Sequence, residues 1–143
     1  MSKSITGGCR CGAVRYSCAA PAILTVTCSC SDCKTFYGGA ISAAVVLPRE
    51  AVEISGTVKY FEVTGSSGQP VERGFCPNCG TQIFGKPGIA PQLMSVTLGT
   101  LDDQSGYKPQ MNVFAAVAHP WLHLDEDIAS FPQMPSPDQI PQG

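Results

Sequence analysis

Eight cysteines dominate the chemistry available to this chain of 143 residues, at positions 9, 11, 18, 28, 30, 33, 76 and 79. An even count in a short secreted chain reads as a disulfide framework. Here Met1-Ser2-Lys3-Ser4 leads directly into Gly7-Gly8-Cys9 without the apolar core of a signal peptide, which predicts a cytoplasmic chain with reduced thiols. Reduced thiols grouped at spacings of two and three residues are expected to be metal ligands, with a disulfide scaffold as the rival reading.

The most specific unit is Cys76-Pro77-Asn78-Cys79-Gly80, in which a tight turn can aim two thiolates at one ion. Gly80 is placed to take a positive φ directly after the second ligand, turning backbone N–H groups toward the sulfurs. A redox Cys-x-x-Cys is the alternative, but that chemistry wants its first cysteine at a helix N-terminus, and Thr81-Gln82-Ile83-Phe84-Gly85 lacks helical periodicity. A structural zinc site needs four ligands. Cys9-Arg10-Cys11 has the period of a strand, with both sulfurs leaving one face and Arg10 the other, and it completes a set of four thiolates with Cys76 and Cys79. The competing view makes Cys9 and Cys11 plain core thiols.

Cys28-Ser29-Cys30-Ser31-Asp32-Cys33 supplies a second set, of three. Three protein ligands with a vacant fourth position mark a catalytic rather than a structural zinc, since the vacancy admits water or substrate. Cys18 either closes that set or, as a lone cysteine, is a small buried hydrophobe.

These groups need a scaffold. One domain is expected from the length, and 43 % hydrophobic with 14 % charged residues predicts a compact core. The net charge of −2, without a Lys/Arg cluster, argues against nucleic-acid binding, and no apolar run reaches the length of a membrane span. Runs rich in β-branched and aromatic residues predict strands at 13–18, 23–28, 41–47, 58–63, 93–98 and 111–117. Gly65-Ser66-Ser67-Gly68-Gln69-Pro70 reads as a hairpin connection. One short helix is expected at 31–37, capped by Ser31 or Asp32 and ended by Gly38-Gly39. The fold class is therefore mainly β with short helical turns, and the proline-rich stretch 133–143 is expected to be an extended tail.

With the cysteines placed, the chain resembles the glutathione-dependent formaldehyde-activating enzyme-like family, which also contains the centromere protein V group. The resemblance rests on Gly7-Gly8-Cys9-Arg10-Cys11-Gly12-Ala13-Val14-Arg15-Tyr16, the triplet, Glu72-Arg73-Gly74-Phe75-Cys76-Pro77-Asn78-Cys79-Gly80-Thr81, and Val96-Thr97-Leu98-Gly99-Thr100-Leu101-Asp102-Asp103. It covers roughly residues 5 to 132, so that 1–132 is expected to form the family's domain. It implies an Mss4-like β-sandwich-type fold, two zinc ions per chain, and carbon–sulfur lyase chemistry on adducts of glutathione, or a related thiol, with formaldehyde or another aldehyde. In that reading Cys9, Cys11, Cys76 and Cys79 hold the structural ion. Cys28, Cys30 and Cys33 hold the catalytic one, with the substrate thiol as its fourth ligand. Two departures bear on the substrate. Ser29 stands where many members carry histidine, and Asn112-Val113-Phe114 replaces a His-Ile-Trp stretch.

A glutathione-like tripeptide carries two carboxylates, and the cations beside the cysteine motifs are Arg10, Lys34, Arg73 and Lys86. His119 and His123 have helical spacing, but Pro120 between them favours a loop. Trp121 and Phe131 are expected to anchor the C-terminal segment, and Asp102-Asp103 to form a turn. The alternative to an enzyme is a non-catalytic, zinc-scaffolded binding module.

Overall fold

The computed structural model describes residues 4–140. Among these the chain forms β1 (Ile5–Gly8), β2 (Arg15–Cys18), β3 (Leu24–Cys28), α1 (Ser31–Tyr37), β4 (Ser42–Pro48), β5 (Val52–Ser55), β6 (Lys59–Thr64), β7 (Pro70–Phe75), β8 (Gln82–Pro87), β9 (Leu93–Thr97), β10 (Met111–Val113) and β11 (Ala129–Ser130). No helix among them is long and apolar enough to cross a membrane.

The strands make two sheets. One has the order β1-β2-β5, the other β11-β10-β3-β4-β9-β8-β7-β6, and all pairings are antiparallel except those of β10 with β3 and β11. Alternation along β4 shows how both faces of the larger sheet are covered. Val45 and Leu47 point into a core with Ile5, Val14, Tyr16, Ile83, Phe84, Met94 and Val96, while Val46 packs with Leu24, Met111 and Val113 on the opposite face. Tyr16 of the smaller sheet meets Phe84 of the larger edge-on, with ring centroids 5.5 Å apart. Each of the fully buried side chains contributes about 1.5–3 kcal/mol through its removal from water.

The six expected strands are present with small shifts at their ends, except that the last stops at Val113. Phe114 there takes φ 55° and the chain continues as a 3-10 turn over Ala115–Val117. Strands β1, β5, β7, β8 and β11 lie outside those six runs. In β7 and β8 the pattern is hidden by Pro70, Gly74, Gly85 and Pro87, residues that lower strand propensity. Gly74 is required by a neighbour, since a Cβ there would lie 2.7 Å from the Tyr60 ring across the β6–β7 pair. The β6–β7 connection is the expected hairpin, closed by Gly65 N–H to the Gln69 carbonyl. Helix α1 spans the expected residues but is capped by Cys30, whose sulfur accepts from the Cys33 N–H, rather than by Ser31 or Asp32; Gly38 ends it at φ 69°.

Of the stretch 133–143 expected to be an extended tail, 141–143 lie outside the described residues, and the described part is not extended throughout. It makes a 3-10 turn at Pro137–Gln139, and Ile140 packs beside Phe131 against the Leu24, Met111 and Val113 cluster. Phe131 thus anchors the segment. Trp121 does not: it is exposed and stacks on His119 at 5.2 Å.

Asp103 makes the expected turn, accepting from the Ser105 N–H, whereas Asp102 ties the sheets by pairing with Arg15 and accepting from the Thr6 hydroxyl. The Arg15 guanidinium and that hydroxyl hold the Asp102 carboxyl below its ordinary range. A carboxyl depressed by folding stabilises above its unfolded value and loses that contribution as pH falls through its folded value. Asp102→Asn is accordingly expected to lower stability at pH 7 by about 0.5–1 kcal/mol. In urea titrations at stepped pH the difference should close below about pH 4; a gap unchanged into strong acid would contradict this role for the pair.

Candidate metal centres

Two turns bring four sulfurs together. Cys9 follows β1, and Cys11 lies in the turn toward β2, where Gly12 N–H donates to the Cys9 carbonyl at 3.2 Å. Cys9 and Cys11 are thus presented by a turn, not by the strand that their spacing suggested, and Arg10 between them is exposed. Cys76 and Cys79 sit between β7 and β8, in a turn closed by Gly80 N–H to the Cys76 carbonyl at 2.8 Å and Cys76 N–H to the Thr81 carbonyl at 3.0 Å. Gly80 has φ 80°, as expected, and no helix follows it, so the knuckle lacks the setting of a redox Cys-x-x-Cys.

The Cys9 and Cys11 sulfurs are 3.6 Å apart and those of Cys11 and Cys76 3.8 Å, with all four within 4.8 Å of one another. Such separations are too long for disulfides. A tetrahedral zinc with metal–sulfur bonds of about 2.3 Å has sulfur–sulfur edges of about 3.8 Å, so the donor set fits an ion of that kind. Neutral donors surround the sulfurs: Val14 N–H reaches Cys9 at 3.2 Å, Asn78 Nδ2 reaches Cys11 at 3.3 Å, and the Thr81 hydroxyl lies 3.1 Å from Cys79. Contact with Thr81 holds the Cys79 thiol down to about 5. The two turns are joined by the Arg10 N–H, which donates to the Thr81 hydroxyl.

The second group forms where β3 gives way to α1. Cys28 ends the strand, Cys30 caps the helix, Cys33 is buried in its first turn, and the three sulfurs again lie within 4.8 Å of one another. Hydrogen bonds from Cys28 and Cys30 hold the Cys33 thiol below its ordinary range, while contacts with Cys30 and Cys33 push the Cys28 thiol up. Cys18 joins neither group. It is fully buried, with its sulfur donating to the Ala20 carbonyl.

Of the four candidate cations, Arg73 reaches a cysteine group. Its Nη1 donates to Cys33 Sγ at 3.8 Å and to Tyr37 Oη at 3.4 Å. Lys34 instead donates to the Val117 carbonyl, and Lys86 lies over the Tyr60 ring. His119 and His123 lie in the loop after the Ala115–Val117 turn and belong to neither cysteine group. Sequence reasoning missed Tyr37, although its spacing of four from Cys33 on α1 places both on one helix face. Ser29 is buried, and Asn112 is buried with its amide engaged by Thr27, Ser130 and the Asp125 carbonyl.

A family model described as glutathione-dependent formaldehyde-activating enzyme matches residues 4–117. The chain belongs to that family. The matched span includes both cysteine groups, Arg73 and Asn112-Val113-Phe114, and ends before His119, Trp121 and His123. A solved structure of a Rhodobacter sphaeroides protein superposes with a TM-score of 0.54 at 21% identity, covering 73% of this chain and 91% of that one. That likeness is one of fold, and it agrees with the mainly β, Mss4-like architecture expected of the family.

The two groups differ in what an ion would join. The first links turns 65 residues apart between Cys11 and Cys76, whereas the second lies within one short segment. Bound structural zinc contributes on the order of 10 kcal/mol, which is also folding free energy. Cys79→Ser is therefore expected to abolish cooperative thermal unfolding, while Cys30→Ala should cost only about 1 kcal/mol through loss of the helix cap. Equal losses of Tm for the two variants would contradict the division.

Proposed function

We propose that the chain is a zinc-dependent carbon–sulfur lyase-like enzyme that makes or breaks adducts between a thiol such as glutathione and an aldehyde such as formaldehyde. The observation that carries this is the count of thiols. Four cysteines form one complete set, and the remaining group contributes three, with Cys18 buried elsewhere.

Cys9, Cys11, Cys76 and Cys79 would hold a structural zinc, and Cys28, Cys30 and Cys33 a second. Bound there, a zinc ion supplies a soft Lewis acid with a position for one more sulfur. The chain's own residues set the rest. Capping of α1 by Cys30 fixes two of the three sulfurs on a rigid helix start, and Ser42 fixes the Cys28 backbone by donating to its carbonyl at 3.4 Å. Burial raises the Tyr37 hydroxyl, which therefore keeps its proton at neutral pH beside Arg73.

In the condensation direction the thiol sulfur bonds to the carbonyl carbon. The carbonyl π pair moves to oxygen, which takes up a proton equivalent to the one the thiol released; the lyase direction reverses each transfer. Tyr37 Oη, beside Arg73, is a side-chain donor suited to that oxygen. Ser29 cannot supply an imidazole relay, and the amide of Asn112 is already committed. These two features favour the second reading, a zinc-scaffolded binding module without turnover.

Calorimetry in two buffers of different ionisation enthalpy separates the readings. Glutathione is expected to bind with release of about one proton near neutral pH and to outcompete S-methylglutathione, whose thioether has no proton to lose. Binding should disappear in Cys30→Ala. Equal affinity for the two ligands without proton release would leave the binding module.

A further inference from the structure

Arg73 is a partly buried cation with no carboxylate partner. The ion pairs among the described residues are Arg15 with Asp102 and Lys108 with Asp125. On β7, Arg73 stands opposite Phe61 of β6 and Gly85 of β8. Its guanidinium carbon lies 5.3 Å from the Phe36 ring centroid and 5.8 Å from that of Tyr37, which fixes the group against α1. One terminal nitrogen is directed at Cys33 Sγ and Tyr37 Oη, and Nε is buried without a hydrogen-bond partner. Removing a guanidinium from water is costly unless an anion faces it. The anion-forming centre it faces is the three-cysteine group.

The four-cysteine group is arranged differently, because its hydrogen bonds come from neutral donors: a backbone N–H, an asparagine amide and a threonine hydroxyl. The chain therefore places a fixed positive charge beside one sulfur group and dipoles beside the other. Three thiolates on a divalent ion leave a charge near −1. An incoming thiol that gives its proton to solvent and binds as thiolate raises that to −2. A neutral ligand in the same place leaves it unchanged.

We propose that Arg73 is the specificity-determining residue of the three-cysteine site, favouring an anionic sulfur over a neutral donor at the open position by offsetting the added charge. The proposal rests on the metal reading of that site given above. Arg73 acts through the charge it holds against Cys33, as a positioning residue, and not through contact with the aldehyde.

The test uses full-length protein loaded with cobalt at both sites, whose visible absorption reports a change of ligand. Two small probes distinguish charge from shape: 2-mercaptoethanol, which binds as a thiolate and has no carboxylate for Arg73 to recognise, and imidazole, which binds neutral. Arg73→Met is expected to weaken 2-mercaptoethanol binding on the order of 100-fold, as follows from a lost unit charge at about 5 Å at an effective dielectric of about 20. Imidazole affinity should stay within about twofold of the parent, and Arg73→Lys should restore most of the thiol affinity. Arg73→Gln, which keeps a donor for Cys33 but no charge, should behave like Arg73→Met and serves if that variant fails to fold. Unchanged 2-mercaptoethanol affinity in a variant that holds two ions would overturn the proposal, as would an equal loss for both probes, which would make Arg73 a packing residue. Parent protein whose cobalt spectrum responds to neither probe would overturn the open-site reading and the proposal with it.

Discussion

Four sulfurs within 4.8 Å of one another, drawn from turns far apart in the chain, impose the constraint from which much of the architecture follows. Two thiolates at about 3.7 Å repel each other by about 4 kcal/mol at an effective dielectric of about 20. Such a cluster is tolerable with its protons retained or with a cation at its centre. The spacing is that of a cation's ligands, and the N–H groups turned toward the sulfurs suit thiolates better than thiols. The cluster brings the end of β7 beside the turn that follows β1, where Arg10 N–H donates to the Thr81 hydroxyl.

β7 then links the two centres. Arg73 and Cys76 are three positions apart, so the segment that delivers a thiol to one sulfur group delivers a guanidinium to the other. Gly74 between them leaves room for the Tyr60 ring to approach the strand. Helix α1 is short, and it is held by its Cys30 cap at one end and by the packing of Phe36 and Tyr37 on Arg73 at the other. The larger sheet, through Arg73, thereby holds the second group, whose own residues come from one short stretch of chain.

Much of the site was legible because cysteine spacing is a local signal. The knuckle, its positive-φ glycine, the division of thiols into four and three, and the extent of α1 all depend on residues near each other in sequence. What escaped was set by tertiary contact. Cys9 and Cys11 have the spacing of a strand, yet they occupy a turn, because the chain reverses after Gly8 to bring both sulfurs toward the distant knuckle. Strands β7 and β8 were hidden in part by Gly74 and Gly85, whose positions make sense only beside Tyr60 and Ser95. Arg73 stood out from the other cations only in three dimensions, lying 40 positions from the cysteine it contacts. Trp121, the largest apolar side chain of its loop, covers a histidine and not the core, a choice that composition does not reveal.

Mass spectrometry of protein purified without added metal, under native conditions and then in acid, tests the central claim most directly, since the first mass counts ions and the second counts thiol protons. The account predicts two zinc ions per chain and, after denaturation in acid, a mass corresponding to all eight cysteines in the reduced form. A metal-free native mass together with a deficit of two hydrogens per cysteine pair would contradict it, and would make the clustered thiols a disulfide framework.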